Sequence, residues 1–421
     1  MYTLPHQVEY LSDAWLDEAK AYLDRMLPQR RAELGDWPFR AAWRFTDAPP
    51  HMGFDGGVAA FSLRYDGQDI SLSRAFDREA DLRLEGDFQA ALSFAQMVGI
   101  RATGARQTAI EDVRAIYGAD AYRPTGAARN DAWEKLLADL HDHMGRRTVE
   151  NPDLAHRAER QGLTGKIREM EDLGYTVLER AITPQFAEEV REATINALAS
   201  QQATTLNWML YQGRPFEKLT LNPLLMTLID ASLGRGAVVA SLSAIQRGPG
   251  PGTIPLHVDY AHVPEPFPEF AMTGVGVWAL ENWTAESGPT WIIPGSHKFR
   301  RGPRRGEGAN GGVPIEMPKG SVVFFTHGVW HWQGDRTAPG DRVTLHMHFN
   351  RGILRSLEPK KVDVQMMHRN PPRLGEMLGE DDWFEKIDAH GRDYGRLAHM
   401  NRLHAFTEAQ KAKILAETAV A

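Results

Sequence analysis

The sequence contains no cysteine among its 421 residues. This absence excludes disulfide bonds, thiolate nucleophiles and zinc or iron–sulfur sites that depend on cysteine ligands. Any bound metal must therefore be held by histidine, aspartate or glutamate side chains. The chain has 16 histidines, so histidine spacing bears directly on where a metal could bind.

A long apolar run and a strongly basic region are also missing. No run of about eighteen apolar residues occurs, and the first ten residues lack the basic and apolar regions of a secretory signal. We therefore expect no membrane span and a cytoplasmic location. The net charge is −7, and Lys and Arg are spread along the chain except for a short cluster at residues 300–305. This pattern argues against a nucleic-acid partner and favours a small-molecule substrate, and it leaves formation of a homo-oligomer open.

The first 122 residues predict a small α+β domain. VAAFSLRY and QDISLS alternate in polarity on either side of Asp66 and Gly67, which is typical of a tight β-hairpin. DLRLEGDFQAALSFAQMV then predicts a strand followed by a helix. An earlier helix is indicated by apolar residues at helical spacing, namely Trp15, Ala19, Tyr22, Leu23 and Met26.

The rest of the chain predicts three further segments. Residues 123–163 are typical of a partly helical connector, and residues 357–421 of a helical C-terminal extension. Between them, Gly174 suits the position after a helix end, and Thr183 with Pro184 suits the start of the next helix. After Leu219, short β-rich runs are separated by Gly and Pro loops. Residues 164–356 therefore predict an antiparallel barrel or jelly roll flanked by helices, which makes the whole chain α+β.

The segment PLHVDYAHVPE contains a histidine and an aspartate separated by one residue, His257 and Asp259. On an extended strand both side chains project to the same face, as two ligands of one metal must. A third ligand has to come from elsewhere in the chain. The downstream candidates are His297, His327, His331, His346 and His348.

A later strand, RVTLHMHFN, places Arg342 and two histidines on one face and apolar residues on the other. An arginine that faces a barrel interior is costly unless an anion meets it, because its charge cannot be neutralised there. A ligand carboxylate would satisfy the guanidinium with two parallel hydrogen bonds. The sequence thus combines a metal site with a cation suited to a metal-chelating acid.

These motifs, in this order, resemble the phytanoyl-CoA dioxygenase family of Fe(II)/2-oxoglutarate oxygenases. The matching stretches are HVD at 257–259, WTAESGPTWIIPGSH at 283–297, and His331 followed eleven positions later by Arg342. The family's opening segment is similar to EDLGYTVLERAITPQFAEEV. The resemblance covers residues 164–354 and selects His331 among the candidate third ligands.

The resemblance implies that Fe(II) is held by His257, Asp259 and His331, and that Arg342 binds 2-oxoglutarate. Dioxygen would be the second cosubstrate, with release of succinate and CO2 and a double-stranded β-helix as the fold. Related halogenases lack the carboxylate, so the presence of Asp259 favours hydroxylation.

Two glutamines are further expected contacts of the cosubstrate. Gln333 occupies the position, two after the distal histidine, where the family usually has a small hydroxyl residue. Gln246, on the strand before the HVD motif, is expected to contact the cosubstrate or the substrate.

The first domain faintly resembles sterol-carrier-protein-like modules, through GVAAFSLRYDGQDISLS and ADLRLEGDFQAALSFAQ. That resemblance points to a lipidic or bulky apolar substrate, or to a dimerisation or docking module. The competing function is a non-catalytic protein that binds a lipid or another small molecule on a degenerate oxygenase barrel. A third alternative is a cupin-type metalloenzyme that uses no 2-oxo acid. The sequence does not identify the substrate.

Overall fold

The computed structural model of the chain describes residues 7–99, 104–260, 263–307, 310–356, 363–379, 387–388, 391–392 and 394–416. The chain is a mixed α and β protein that divides into two compact units. The first comprises residues 1–161 and 362–375, and the second residues 162–361 and 376–421. Of the connector predicted at residues 123–163, residues 123–161 thus belong to the first unit. None of the helices in the described ranges is long and apolar enough to cross a membrane.

Among its described residues, the first unit contains seven strands and five helices before residue 161, with α10 (Val364–Arg369) added from the later segment. The strands are β1 (Val8–Glu9), β2 (Phe39–Thr46), β3 (Ala59–Tyr65), β4 (Ile70–Ser73), β5 (Leu82–Asp87), β6 (Tyr122–Gly126) and β7 (Thr148–Val149). The helices are α1 (Asp13–Leu34), α2 (Phe88–Ala95), α3 (Ala105–Tyr117), α4 (Asp131–Gly145) and α5 (Leu154–Arg160). Strands β4-β3-β2-β5-β6 form one sheet, and β3 pairs antiparallel with β4, which confirms the predicted hairpin.

A cavity of about 560 Å³ lies among the sheet and helices of the first unit. Its wall is mainly apolar and includes Trp43 and Phe61, whose rings stack with centroids 4.4 Å apart. Trp43 is only half-buried, although Ala41 and Phe45, on the same face of β2, are buried. Exposed residues of α3 and α4, including Arg106 and Glu134, also line the space. Interiors of proteins are normally close-packed, so a space of this size is a candidate ligand cavity.

In the part that the structure describes, the second unit contains two main sheets. Its strands are β8 (Tyr175–Leu178), β9 (Thr205–Leu206), β10 (Val238–Arg247), β11 (Thr273–Ala279), β12 (Thr290–Ile292), β13 (Val313–Pro314), β14 (Val322–Thr326), β15 (His331–Gln333) and β16 (Arg342–Asn350), with the short pair β17 (Ile387–Asp388) and β18 (Gly391–Arg392). The helices are α6 (Thr164–Leu173), α7 (Pro184–Ser200), α8 (Arg214–Thr220), α9 (Pro223–Leu233) and α12 (Tyr394–Ala416). Helix α11 (Pro372–Met377) crosses the boundary between the units.

Strand β16 lies inside the six-stranded sheet, which has the order β8-β14-β11-β16-β10-β9. The smaller sheet has the order β13-β12-β15. On one face of β16, Val343, Leu345, Met347 and Phe349 are at most 2% exposed. The other face presents Arg342, Thr344, His346 and His348, as the alternation in the sequence predicts.

The first two helices of the second unit end and begin at the residues that the sequence predicts as caps. Helix α6 ends at Gly174, which has φ 79° and whose N–H donates to the Met170 carbonyl. Helix α7 begins after Thr183, whose hydroxyl accepts from the Phe186 N–H, with Pro184 as the first helical residue. Both predicted caps are therefore confirmed, and they fix the path of β8 between the two helices.

Replacing Gly174 by alanine should destabilise the protein by about 1–3 kcal/mol. The residue adopts a left-handed conformation, and a Cβ there would lie 2.5 Å from both the His297 ring and the Val329 side chain. The free energy of unfolding in urea measures the effect. Gly165→Ala is the control, since α6 leaves open space at that position and the change should stabilise by about 0.5–1 kcal/mol. Equal effects of the two substitutions would contradict the prediction.

Candidate metal centre

Backbone pairing brings the HVD segment alongside β15. The His257 N–H donates to the His331 carbonyl and the His331 N–H donates to the His257 carbonyl, both at 3.0 Å. Two residues further on, the Asp259 N–H donates to the His327 carbonyl at 3.1 Å. The segment around residue 257 therefore extends the three-stranded sheet as a short antiparallel bridge.

The side chains of His257, Asp259 and His331 converge on one point. His257 Nε2 lies 3.4 Å from Asp259 Oδ1, and His331 Nε2 lies 3.8 Å from Asp259 Oδ2. One ligand atom from each residue lies within 4.8 Å of the others. A donor set of two imidazoles and one carboxylate, with further positions open, fits Fe(II).

The ring orientations of both histidines suit metal binding. Nδ1 of His257 lies 2.8 Å from the Pro255 carbonyl oxygen, and Nδ1 of His331 lies 3.0 Å from the Val329 carbonyl oxygen. A carbonyl can only accept, so each Nδ1 carries the proton and donates it. In the neutral form of each ring, this leaves the lone pair of Nε2 facing Asp259, the arrangement in which a second hydrogen bond fixes the ligating tautomer.

The electrostatics of the cluster keep the aspartate ionised. Burial opposes ionisation of Asp259, but the hydrogen bond with His257 and the nearby His327 and His331 outweigh it and hold its pKa well below the usual range. Burial lowers the pKa of His331 and favours its neutral form. Burial also lowers the pKa of His257, but contact with Asp259 outweighs this effect and raises that pKa above its ordinary value. A metal at this site would thus compete with a proton mainly at His257.

Arg342 is buried without a carboxylate partner among its described contacts. Its guanidinium donates to the Gly288 carbonyl and lies over the Trp283 ring, 4.8 Å from the centroid. Nε has no hydrogen-bond partner within the described residues. Burial, together with Arg247 and Arg336, lowers the pKa of Arg342 to about 10, against a smaller opposing effect of Glu281. The result is a buried positive region suited to an anionic ligand.

The two predicted glutamines differ in position. Gln333 lies two residues after His331 on β15, on the same face, and its amide oxygen accepts from the N–H and hydroxyl of Thr253. Gln246 pairs with Val343, so it projects to the apolar side of β16, away from Arg342. Its amide donates to Asp341 at 2.6 Å. The structure therefore does not bring Gln246 to the metal cluster, because the strand register turns it to the opposite face.

The remaining candidate ligands also have defined positions. His327 and His348 adjoin Asp259, whereas His346 lies 3.2 Å from the Thr344 hydroxyl. His297 Nε2 lies 3.2 Å from the Glu171 carbonyl oxygen. Thr273, whose hydroxyl lies 2.6 Å from His327 Nδ1, had no sequence signal because it is a strand residue far from every motif.

The stretch of chain that contains this site matches a known protein family. The phytanoyl-CoA dioxygenase family matches residues 168–343, which include all three converging side chains and Arg342. Residues 168–343 are a phytanoyl-CoA dioxygenase family domain. This phytanoyl-CoA dioxygenase domain accounts for the resemblance in the sequence motifs.

Two curated relatives carry the word dioxygenase in their names. The chain is 29% identical over 165 residues to "Dioxygenase af480" of Aspergillus fumigatus, which covers 38% of this chain and 53% of the relative. It is 32% identical over 117 residues to "Dioxygenase swnH2" of Arthroderma benhamiae, covering 26% of this chain and 37% of the relative. The chain thus spans about half the length or less of these relatives.

Among solved structures, the domain is similar to HygX from Streptomyces hygroscopicus with nickel and 2-oxoglutarate bound. The two share 14% identity with a TM-score of 0.40, over 46% of this chain and 88% of HygX.

Proposed function

We propose that the second unit is a non-heme Fe(II)- and 2-oxoglutarate-dependent dioxygenase that oxidises a small organic substrate. The observation that carries this proposal is the convergence of His257, Asp259 and His331 in a unit that also buries Arg342, which has no carboxylate partner among its described contacts. Iron at such a site supplies dioxygen activation coupled to oxidative decarboxylation of the 2-oxo acid, with succinate and CO2 as products. The family match over residues 168–343 supports the same activity.

Each residue has one role in this proposal. His257, Asp259 and His331 hold Fe(II), and Arg342 binds the far carboxylate of 2-oxoglutarate through its guanidinium. The charges of Arg342 and Asp259 both act on His346, on the polar face of β16. The cosubstrate would therefore lie across this face, between the arginine and the metal.

An apolar cluster supports exclusion of water from the site. It contains Trp283, which contacts Arg342, and Phe325, whose ring centroid lies 4.7 Å from that of His331. Apolar walls around a reacting centre prevent side reactions with water and strengthen electrostatic contacts inside. We place the reaction beside this wall and expect the oxidation to be hydroxylation of an unactivated C–H bond.

We further propose that residues 164–356 form a jelly-roll barrel whose two sides are the six-stranded and three-stranded sheets. The antiparallel pairing of both sheets supports this arrangement. Side chains from both sheets also meet near Asp259. His331, on β15, lies 3.8 Å from the Asp259 carboxylate. His348, on β16, contacts His327, which in turn lies beside Asp259.

The surface next to the metal cluster favours a substrate with hydrogen-bonding groups. Ser241 pairs with His348 and Ser243 pairs with His346, so these polar side chains share one face of the β10–β16 ladder. Ser243 and both histidines are only half-buried. Polar groups of a substrate would add hydrogen bonds to those that Ser243 makes with Asn207 and His346 with Thr344.

The test is anaerobic addition of Fe(II) and 2-oxoglutarate to the metal-free protein. We expect a visible charge-transfer band that disappears in His257→Ala and weakens in Arg342→Ala, followed by succinate release when air is admitted. Iron binding without succinate formation would instead indicate a metalloenzyme that uses no 2-oxo acid. The absence of any band in the wild-type protein would contradict the proposed function.

A second candidate function concerns the first unit, and the cavity around Trp43 is the observation that favours it. The volume of about 560 Å³ lies within the range of small-molecule sites, about 300–1,000 Å³. Its mainly apolar wall would suit a lipid or another bulky apolar molecule. This function is binding alone and does not require the metal cluster.

Binding of a fluorescent fatty acid tests this second candidate. We expect saturable binding to the full chain and at least a tenfold loss in Ala95→Trp, because Ala95 lines the cavity and a tryptophan there would occupy the space of a ligand. Ala75→Trp is the matched control, since Ala75 is an exposed residue of the same unit. Equal binding by both variants would place the probe outside the cavity.

A further inference from the structure

A second group of potential metal ligands lies beside the first. We propose that Asp259, His327 and His348 form a second divalent-metal site that shares the Asp259 carboxylate with the His257–Asp259–His331 site. This inference goes beyond the proposed dioxygenase function, because it requires only the ligand geometry and no turnover.

The distances within the second group are as short as those in the first. Asp259 Oδ2 lies 3.5 Å from His327 Nε2, and His327 Nε2 lies 3.3 Å from His348 Nδ1. One ligand atom from each residue lies within 4.8 Å of the others. Ligand atoms bound at about 2.0–2.1 Å to a common ion would have separations of this order.

A neighbouring hydroxyl sets the orientation of the central ring. His327 Nδ1 lies 2.6 Å from the Thr273 hydroxyl on the side away from Asp259. If Nδ1 donates to that hydroxyl, Nε2 presents its lone pair toward Asp259 and His348. This is the arrangement in which an outer hydrogen bond fixes the ligating nitrogen of a metal-bound histidine.

The donor set indicates which ions would bind. Two imidazoles and one carboxylate, without thiolate, suit Zn²⁺ or Co²⁺ better than the hard cations Mg²⁺ or Ca²⁺. His327 is buried and His348 half-buried, whereas His346, on the same face of β16, belongs to neither group. His346 therefore serves as a matched control for His348.

The shared carboxylate makes the two sites unequal. A single Asp259 would face two divalent ions, and the ions would repel each other at the separation of about 3.5–4 Å typical of two-metal sites. The second ion should therefore bind more weakly than the first. A titration should resolve two affinities, and at saturation the chain should hold two ions.

Equilibrium dialysis of the metal-free full chain against Zn²⁺, followed by elemental analysis, tests the proposal. We expect two ions per wild-type chain and one in either His348→Ala or His257→Ala. His346→Ala should retain two. Titration of the same proteins with Co²⁺ gives an independent readout, because the visible spectrum of the second ion should be missing in His348→Ala.

The outcomes separate this proposal from the dioxygenase function. One ion in the wild type, unchanged in His348→Ala and lost in His257→Ala, would overturn the second site and leave the first intact. One ion retained in His257→Ala but lost in His348→Ala would support the second site and contradict the proposed iron site. Circular dichroism of each variant excludes unfolding as the cause of a lost ion, and His348→Gln, which keeps hydrogen-bonding capacity, should lose the ion as His348→Ala does.

Discussion

Substituting alanine for His331 should leave the protein folded, with succinate formation below about 1% of the wild-type rate. The expected loss of activity is larger than that from replacing a residue that only hydrogen bonds to a metal ligand, which typically costs about 10–100-fold in metal affinity or activity. His331 is buried and supplies one of the three converging ligand atoms. Anaerobic Fe(II) binding and succinate release with 2-oxoglutarate measure the two consequences separately.

The control for this variant is His297→Ala. His297 belongs to the motif at 283–297, but its Nε2 contacts the Glu171 carbonyl and it is in neither potential metal group. It should therefore keep normal iron binding. Full activity of His331→Ala would contradict the assignment and point to His327, whose Nε2 also faces Asp259 at 3.5 Å, as the third ligand.

Local patterns in the sequence predicted most of the elements that position this site. Alternation along RVTLHMHFN predicted a strand with Arg342 and His348 on one face, and β16 has that arrangement. The spacing of His257 and Asp259 predicted side chains on one face, and both converge with His331. Such patterns succeed because side-chain direction in a strand depends only on residue parity.

Register and partner contacts could not be predicted in the same way. Gln246 faces away from Arg342 because β10 pairs with β16 in a register that places it opposite Val343. A shift of one residue would have reversed that outcome, and nothing in the local sequence specifies it. The proximity of Thr273 to His327 depends on pairing between distant segments, so it too emerges only in the folded chain.

Arg342→Met should raise the apparent KM for 2-oxoglutarate by about 100-fold or more without lowering the stability of the ligand-free protein. We expect this loss of affinity for 2-oxoglutarate because truncating one partner of a buried charge pair typically costs about 2–5 kcal/mol. The retained stability has a separate cause. In the ligand-free protein Arg342 is a buried cation whose pKa is lowered to about 10 by burial and by Arg247 and Arg336. A methionine of similar length removes this unfavourable charge, and we expect that gain to offset the one hydrogen bond lost at the Gly288 carbonyl.

Thermal unfolding with and without 2-oxoglutarate, in the presence of Fe(II) under nitrogen, measures both effects in one experiment. Ligand at 100 times its Kd should stabilise the wild type by about 2.7 kcal/mol, and this increment should fall to about 0.4 kcal/mol or less in Arg342→Met, whose Kd is expected to be about 100-fold higher or more. Arg336→Met is the contrasting variant, since Arg336 donates to the carbonyls of Ser287, Pro339 and Gly340. Its loss should lower stability even without ligand, because three buried or partly buried acceptors lose their donor. If Arg342→Met instead behaved like Arg336→Met, Arg342 would be a structural residue and the cosubstrate carboxylate would have to bind elsewhere.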